Sequence, residues 1–131
     1  MGLTYARVSL ANARRPDLAP VEVDALADTG ALHLCIPEHI ALQLQLDEQE
    51  KREVPIADGS KRLVSYVGPV TVAFANRRCF TGAMVLGNEA LLGAIPMEDM
   101  DLVVLPSRQQ VAVNPASPNF ATSVAKRSVK K

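Results

Sequence analysis

The chain has 131 residues, of which 48% are apolar and 21% are charged, so it is long enough to form one domain with a real core. Because it contains no Trp and only three Phe, that core must be built from Val, Leu, Ile and Ala. The 14 basic residues balance the 14 acidic ones, but four basic residues lie in the last six positions: Lys126, Arg127, Lys130 and Lys131. The rest of the chain is therefore acidic, which excludes the basic face that a nucleic-acid-binding domain needs.

The sequence also lacks the apolar segments that direct a chain to a membrane. No stretch reaches the length of a membrane span, and the N-terminal region lacks the apolar run of a signal peptide. We therefore expect a cytoplasmic protein with no membrane partner. Cys35 and Cys79 fit that compartment as free buried thiols. A disulfide between them stays open, because the sequence does not place their Cα atoms.

The first half of the chain alternates short strands with loops. Apolar alternation predicts strands over residues 4–12 and 21–27, separated by a proline-containing loop. Asp28 falls on the face of the second strand opposite to its small apolar residues, which directs the carboxylate into a cleft. Residues 32–36 predict a third strand, and Pro37 favours the first turn of a short helix that runs to about Gln45. The highly charged residues 47–53 predict a loop.

The second half of the chain predicts hairpins. Asp58-Gly59 is a strong turn signal at the centre of residues 54–66, and the strand after it continues to residue 74. Further strands are predicted over residues 79–86, 90–93, 101–105 and 110–113, with a helical turn over 96–100. The composition after residue 115 predicts a domain over residues 1–115 and a disordered basic tail over 116–131. Short strands with one short helix predict an all-β, mostly antiparallel fold.

One motif has a clear chemical meaning. At Asp28-Thr29-Gly30-Ala31 a strand enters a tight turn that presents a single carboxylate. Gly30 allows the backbone to pass close under that carboxylate, and peptide N–H groups of the turn can fix its direction. About sixty residues later, Leu91-Leu92-Gly93 occurs in a similar strand-to-turn context.

The order and spacing of these features resemble the retropepsin-like aspartic protease family in its single-domain, bacterial-type form, over about residues 4–114. The resemblance implies a closed β-barrel that supplies half an active site. It implies catalytic roles for Asp28, Thr29 and Gly30, and a strand at Leu91-Leu92-Gly93 that threads the catalytic turn. The hairpin looks like a flap over the substrate. The implied substrate-binding residues are Ala31, Ile56, Ala57, Asp58, Gly59, Leu63 and Val64.

No second Asp-Thr-Gly or Asp-Ser-Gly occurs in the chain. Peptide hydrolysis by this chemistry needs two carboxylates that share one proton. The resemblance therefore implies a homodimer in which Asp28 from each copy meets, with the Thr29 hydroxyl bonding across the dimer and residues 101–113 contributing to the interface. It implies an aspartic endopeptidase that acts on extended peptides and uses no metal or cofactor.

Three other interpretations stay open. Asp28 could simply cap a turn, since Asp and Gly are ordinary turn residues. The chain could be a dimeric protein-binding or scaffold module with the same fold and little turnover. His33, Cys35 and His39 could bind a metal in a small β domain, although structural zinc sites usually have paired, short-spaced ligands and a fourth donor.

Overall fold

The computed structural model describes residues 3–124, and about half of them form one curved sheet. Nine strands follow one another with two short α-helices and one 3₁₀ turn. In chain order they are β1 (Tyr5–Asn12), β2 (Val21–Ala27), β3 (Leu34–Ile36), α1 (Glu38–Gln43), β4 (Asp47–Pro55), β5 (Lys61–Phe74), β6 (Arg77–Val85), β7 (Leu91–Leu92), α2 (Ala94–Asp99), β8 (Leu102–Leu105), the 3₁₀ turn Pro106–Arg108 and β9 (Gln110–Val113).

Six of these strands close into a barrel. The hydrogen-bonded order β5-β6-β3-β7-β2-β1 is completed by a second pairing of β1, with β5, so the ring has no open edge. Strand β4 extends the sheet beyond β5, and the β8–β9 hairpin joins it through β1. Of the nine strand pairings, six are antiparallel and three are parallel. The structure therefore confirms the predicted all-β, mostly antiparallel closed barrel.

The core lies inside this ring and is aliphatic, as the composition requires. In β1, alternate residues from Ala6 to Asn12 are buried, which is the period expected of a strand with one face toward the core. The large side chains with less than 2% exposure come from the barrel strands and from both helices. They include Val8, Leu10, Leu34, Ile36, Leu44, Val70, Val72, Leu92 and Met100.

Several predicted boundaries were wrong, the largest differences being at β4 and α2. Residues 47–53 form most of β4, which pairs with β5 from Asp47 to Pro55, and are not a loop. Because β4 is an exposed edge strand, charged side chains occupy both of its faces and remove the alternation that marks a strand. A second α-helix begins at Ala94, two residues before the predicted turn, with Pro96 in its first turn where proline is tolerated.

Within residues 3–124, no helix is long and apolar enough to cross a membrane.

The chain after β9 lies against the barrel through a polar cluster. Asp101 accepts hydrogen bonds from the Asn114 amide (3.0 Å), the Ser117 hydroxyl and the Thr122 N–H (2.9 Å). The buried Arg77 guanidinium donates to the Ser117 carbonyl oxygen and lies 4.0 Å from the Asp101 carboxylate. Residues 115–124 thus contact the domain without forming a helix or strand, and the remainder of the predicted tail lies outside the described residues.

A second buried polar group attaches helix α1 to the barrel. Asn12 is 5% exposed, and its Nδ2 donates to the carbonyl oxygens of Leu44 (2.9 Å) and Gln45 (3.2 Å). Its Oδ1 accepts from the Arg14 N–H at 2.9 Å. One side chain therefore satisfies two carbonyls at the end of a six-residue helix that is too short to be stable alone.

We expect the Asn12→Ala variant to be less stable than wild type by about 2–3 kcal/mol, because it leaves buried carbonyl oxygens without donors. Asn76→Ala is the matched control, since the exposed Asn76 amide also donates to a carbonyl, that of Pro118. It should cost less than about 1 kcal/mol. Urea unfolding measures both, and equal losses would contradict the role given to Asn12.

The polar cluster at Asp101 predicts a pH dependence of stability. Hydrogen bonds from Ser117, then Asn114 and Thr122, hold the pKa of Asp101 at about 2, below its ordinary 3.8. The stabilisation is therefore complete above the unfolded-state pKa and is lost as the pH falls toward 2. Asp101→Asn should lower the melting temperature at pH 7, and the difference from wild type should shrink between about pH 4 and pH 2. A difference that stays constant over this range would show that the Asp101 charge is not stabilising.

Candidate active site

The predicted catalytic turn lies where β2 leaves the barrel. Its backbone is fixed at both ends: the Asp28 N–H donates to the Leu92 carbonyl oxygen (3.1 Å), and the Ala31 N–H donates to the Asp28 carbonyl oxygen (3.1 Å). Asp28, Thr29 and Gly30 are exposed, and Ala31 is half-buried. The turn therefore presents its polar atoms to the surface from a rigid backbone.

The Asp28 carboxylate is held by the turn itself. The Gly30 N–H donates to its Oδ1 at 2.9 Å, so one carboxylate oxygen has a fixed direction and the other stays open. A Cβ on residue 30 would lie 3.2 Å from that same Oδ1, closer than most real Cβ contacts. Glycine at this position thus lets the backbone donor approach the carboxylate without crowding it.

Leu91-Leu92-Gly93 lies directly behind the turn. Strand β7 runs between β2 and β3: Leu92 pairs with Ala27 in a parallel ladder on one side and with Leu34 in an antiparallel ladder on the other. Leu92 is fully buried. The two strands that flank the turn are therefore held at a fixed separation by a strand only two residues long.

Gly93 allows three backbone segments to meet. A Cβ there would lie 2.5 Å from the Leu32 carbonyl carbon and 2.6 Å from the backbone nitrogen and oxygen of His33. The Gly93, Ala94 and Ile95 N–H groups donate to carbonyl oxygens of residues 33, 31 and 32, at 3.1, 2.8 and 2.9 Å. The first N–H groups of α2, which a helix leaves unpaired, are thus satisfied by the loop that follows the catalytic turn.

The predicted flap is the tip of the β4–β5 hairpin. The Ile56 N–H donates to the Ser60 carbonyl oxygen (2.9 Å), and Asp58 Oδ1 accepts from both the N–H (2.8 Å) and the hydroxyl (2.6 Å) of Ser60. These bonds lower the pKa of Asp58. Gly59 has a φ of +89°, and Ala57, Asp58 and Gly59 are all exposed. The shape of the tip is therefore set by its own hydrogen bonds.

The candidate residues fall into two groups in this single chain. The structure brings residues 28–31 together with Leu91-Leu92-Gly93. The hairpin tip forms a separate group, because within residues 3–124 its hydrogen bonds join only residues of the hairpin itself. Of the apolar hairpin residues, Ile56 and Leu63 are exposed at 39% and 64%. Val64 is only 4% exposed, so a ligand could not reach it without side-chain movement.

Sequence reasoning missed two exposed apolar side chains beside the turn. Leu32 is 60% exposed and Ile95 is 47% exposed, and a backbone hydrogen bond joins the two residues. The sequence predicted a strand over residues 32–36, but β3 begins only at Leu34. Leu32 therefore precedes the strand, and the alternation of β3 does not determine which way its side chain faces. No local sequence pattern could have shown that Leu32 is exposed.

The alternative metal set finds no support in the geometry. Among residues 3–124, no three His, Cys, Asp or Glu side chains converge closely enough to hold a metal ion. Cys35 and Cys79 are both free, half-buried and buried respectively, and burial raises the pKa of both thiols. His33 instead uses its carbonyl oxygen to accept the Gly93 N–H.

Comparison with solved structures places the barrel in a known class. Over 87% of this chain and 91% of the other, it superposes with a TM-score of 0.55 and 14% identity on the retroviral protease-like domain of Ddi1 from Leishmania major. The chain has a retropepsin-like fold. A protein of unknown function from Legionella pneumophila also matches, with 16% identity over 77% of this chain and 91% of that one and a TM-score of 0.41. No protein-family model and no curated protein matches the sequence.

The packing at Gly93 predicts a large effect of one methyl group. Gly93→Ala should lower the free energy of unfolding by about 3 kcal/mol or more, because the atoms it meets are backbone and cannot rotate away. Gly87→Ala is the control: its φ is +81° but nothing lies within 4 Å of the added Cβ. It should cost only about 1–2 kcal/mol. Denaturant unfolding gives both values, and a smaller loss at Gly93 than at Gly87 would contradict the close packing behind the turn.

Proposed function

We propose that this protein is an aspartic endopeptidase that acts as a homodimer, with Asp28 from each copy forming the catalytic pair. The observation that carries the proposal is the exposed Asp28 carboxylate, fixed by the Gly30 N–H at the end of β2 in a retropepsin-like barrel. Thr29 and Gly30, which complete the motif, lie at the surface beside it.

One carboxylate is insufficient for this chemistry. Two close carboxylates do not both ionise easily, so they share a proton and titrate as a pair. The ionised member acts as general base on a water, and the protonated member donates to the carbonyl oxygen of the scissile bond. With one Asp28 per chain, the second carboxylate must come from another copy related by two-fold symmetry.

The surface around Asp28 supports self-association. The Ala27 N–H donates to the Thr4 carbonyl oxygen at 2.8 Å, which places the start of β1 beside the turn. On either side of Thr4, Leu3 and Tyr5 are 64% and 41% exposed, and after the turn Leu32 and Ile95 are exposed as well. In the proposed dimer, a second copy would cover such apolar side chains.

Strand β8 offers a second element for the same interface. It lies at one end of the sheet order and pairs only with β9 among the described strands, so one of its edges is open. Open edges can pair with a strand from another molecule. In the proposed dimer the β8–β9 hairpin adds to the contact, and the Thr29 hydroxyl bonds across the two-fold axis.

The hairpin supports the choice of an extended peptide as substrate. Its exposed residues Ile56 and Leu63 offer apolar contacts, and backbone groups at its tip can pair with a peptide in strand conformation. We propose that residues 56–59, with Leu63 and the turn residue Ala31, contact apolar side chains near the scissile bond, whereas the buried Val64 supports the hairpin from the core side.

The test is cleavage of a diverse peptide library from acidic to neutral pH by wild type and Asp28→Asn. The substitution keeps the side-chain shape but removes the group that shares the proton, so we expect cleavage to fall by about a hundredfold or more. Asp24→Asn is the matched control, because Asp24 is an exposed carboxylate on the same strand that pairs with Arg7 instead. It should cleave at the wild-type rate.

Sedimentation of the same samples separates the two parts of the proposal. Equal cleavage by wild type and Asp28→Asn would exclude Asp28 as the catalytic group. A strict monomer at micromolar concentration would exclude the shared dyad. Dimers that cleave nothing would instead favour a protein-binding module with this fold.

A further inference from the structure

A groove next to the candidate site is not used by the proposed reaction, although Ile95, which lies beside the Asp28–Ala31 turn, also lines it. It has a volume of about 700 Å³ and lies between β6, α2 and residues 123–124. The buried residues Cys79 and Pro96 line it, together with Phe80, which is 70% exposed, and Val124, which is 83% exposed. Exposing an aromatic ring to water is unfavourable in free energy, and a ligand that covered Phe80 would relieve this cost. The exposed apolar surface of the groove is typical of a binding site.

The groove is also acidic. Glu98 and Asp99, both exposed, line it, and none of the ion pairs formed within residues 3–124 uses either carboxylate. Cys79 and Asp99 line the same groove, and burial, followed by the charge of Asp99, raises the pKa of the Cys79 thiol to about 12. The thiol therefore stays neutral, and the net charge of the lining is negative.

The chain itself leads into this groove. Asp101 accepts from the Thr122 N–H, and the Asn76 amide donates to the Pro118 carbonyl oxygen, so the segment before the groove is tied to the barrel. Ser123 and Val124 then form part of the groove wall. The seven residues that follow, Ala-Lys-Arg-Ser-Val-Lys-Lys, combine four positive charges with an apolar Val129 and lie outside the described residues.

We propose that the groove binds the chain's own basic end, residues 125–131, with its Lys and Arg side chains opposite Glu98 and Asp99. Seven residues reach at most about 25 Å, enough to follow a groove whose wall already contains Val124. The tether also favours this occupant over a separate basic peptide, since an attached segment has an effective concentration in the millimolar range. The inference does not depend on the proposed function.

Amide chemical shifts of the full-length chain test the proposal. In the variant used, four substitutions remove the charge of the basic end: Lys126→Gln, Arg127→Gln, Lys130→Gln and Lys131→Gln. All four follow the last described residue, so the barrel is untouched. We expect the amide shifts of Phe80, Ile95 and Asp99 to differ between wild type and this variant, and the difference to disappear at high salt.

The reciprocal change provides the control. In a chain with Glu98→Gln and Asp99→Asn, neutralising the basic end should no longer shift the amides of Phe80 and Ile95. In a chain with Glu38→Gln, an exposed acid that lines a different groove, the shifts should persist. Unchanged groove shifts, or shifts centred on other acidic residues, would overturn the proposal. Shifts that grow with protein concentration would also overturn it, because they would assign the groove to the basic end of a second copy.

Discussion

The geometry of the candidate site depends on the close backbone packing at Gly93. Strand β7 uses both of its edges, one for β2 and one for β3, and at its end the chain passes within contact of the His33 backbone. Only a residue without a Cβ fits there. The direction of the Asp28 carboxylate is thus set by hydrogen-bonded backbone and not by side-chain packing, and the surrounding side chains are free to vary without moving it.

A single chain supplies only one of the two carboxylates that the proposed reaction needs. That carboxylate is oriented by one donor, the Gly30 N–H of the same turn. The apolar residues around it, such as Leu32 and Ile95, gain nothing from exposure to water, and covering them with a second copy would remove that apolar area from water. In the proposed dimer, the same association would bring the second carboxylate. Burial of apolar surface and the proposed chemistry would therefore be served by one contact.

Local patterns predicted most of the strands and the turn, because these features depend on neighbouring residues, whereas the closed barrel was implied by the family resemblance. Alternation in β1 and β2, and Asp58-Gly59 at the hairpin tip, are signals within a few positions of one another. Strand β4 was not predicted because its own sequence lacks the alternation of a strand. Its pairing with β5 is what makes it one. In the polar cluster, Asp101 contacts residues that lie 13 to 24 positions away from it in the sequence. Periodic patterns in the sequence cannot predict such contacts.

Helix α2 physically joins the candidate site to the acidic groove. It has six residues, too few for a helix to be stable alone, so its position depends on what holds its two ends. Its first N–H groups bond to carbonyl oxygens of the loop after the Asp28–Ala31 turn, while Met97 in the helix and Met100 just after it are buried in the core. Glu98 and Asp99 near its other end line the groove. The acidic side chains of the groove therefore lie on the same helix that bonds to residues 31–33.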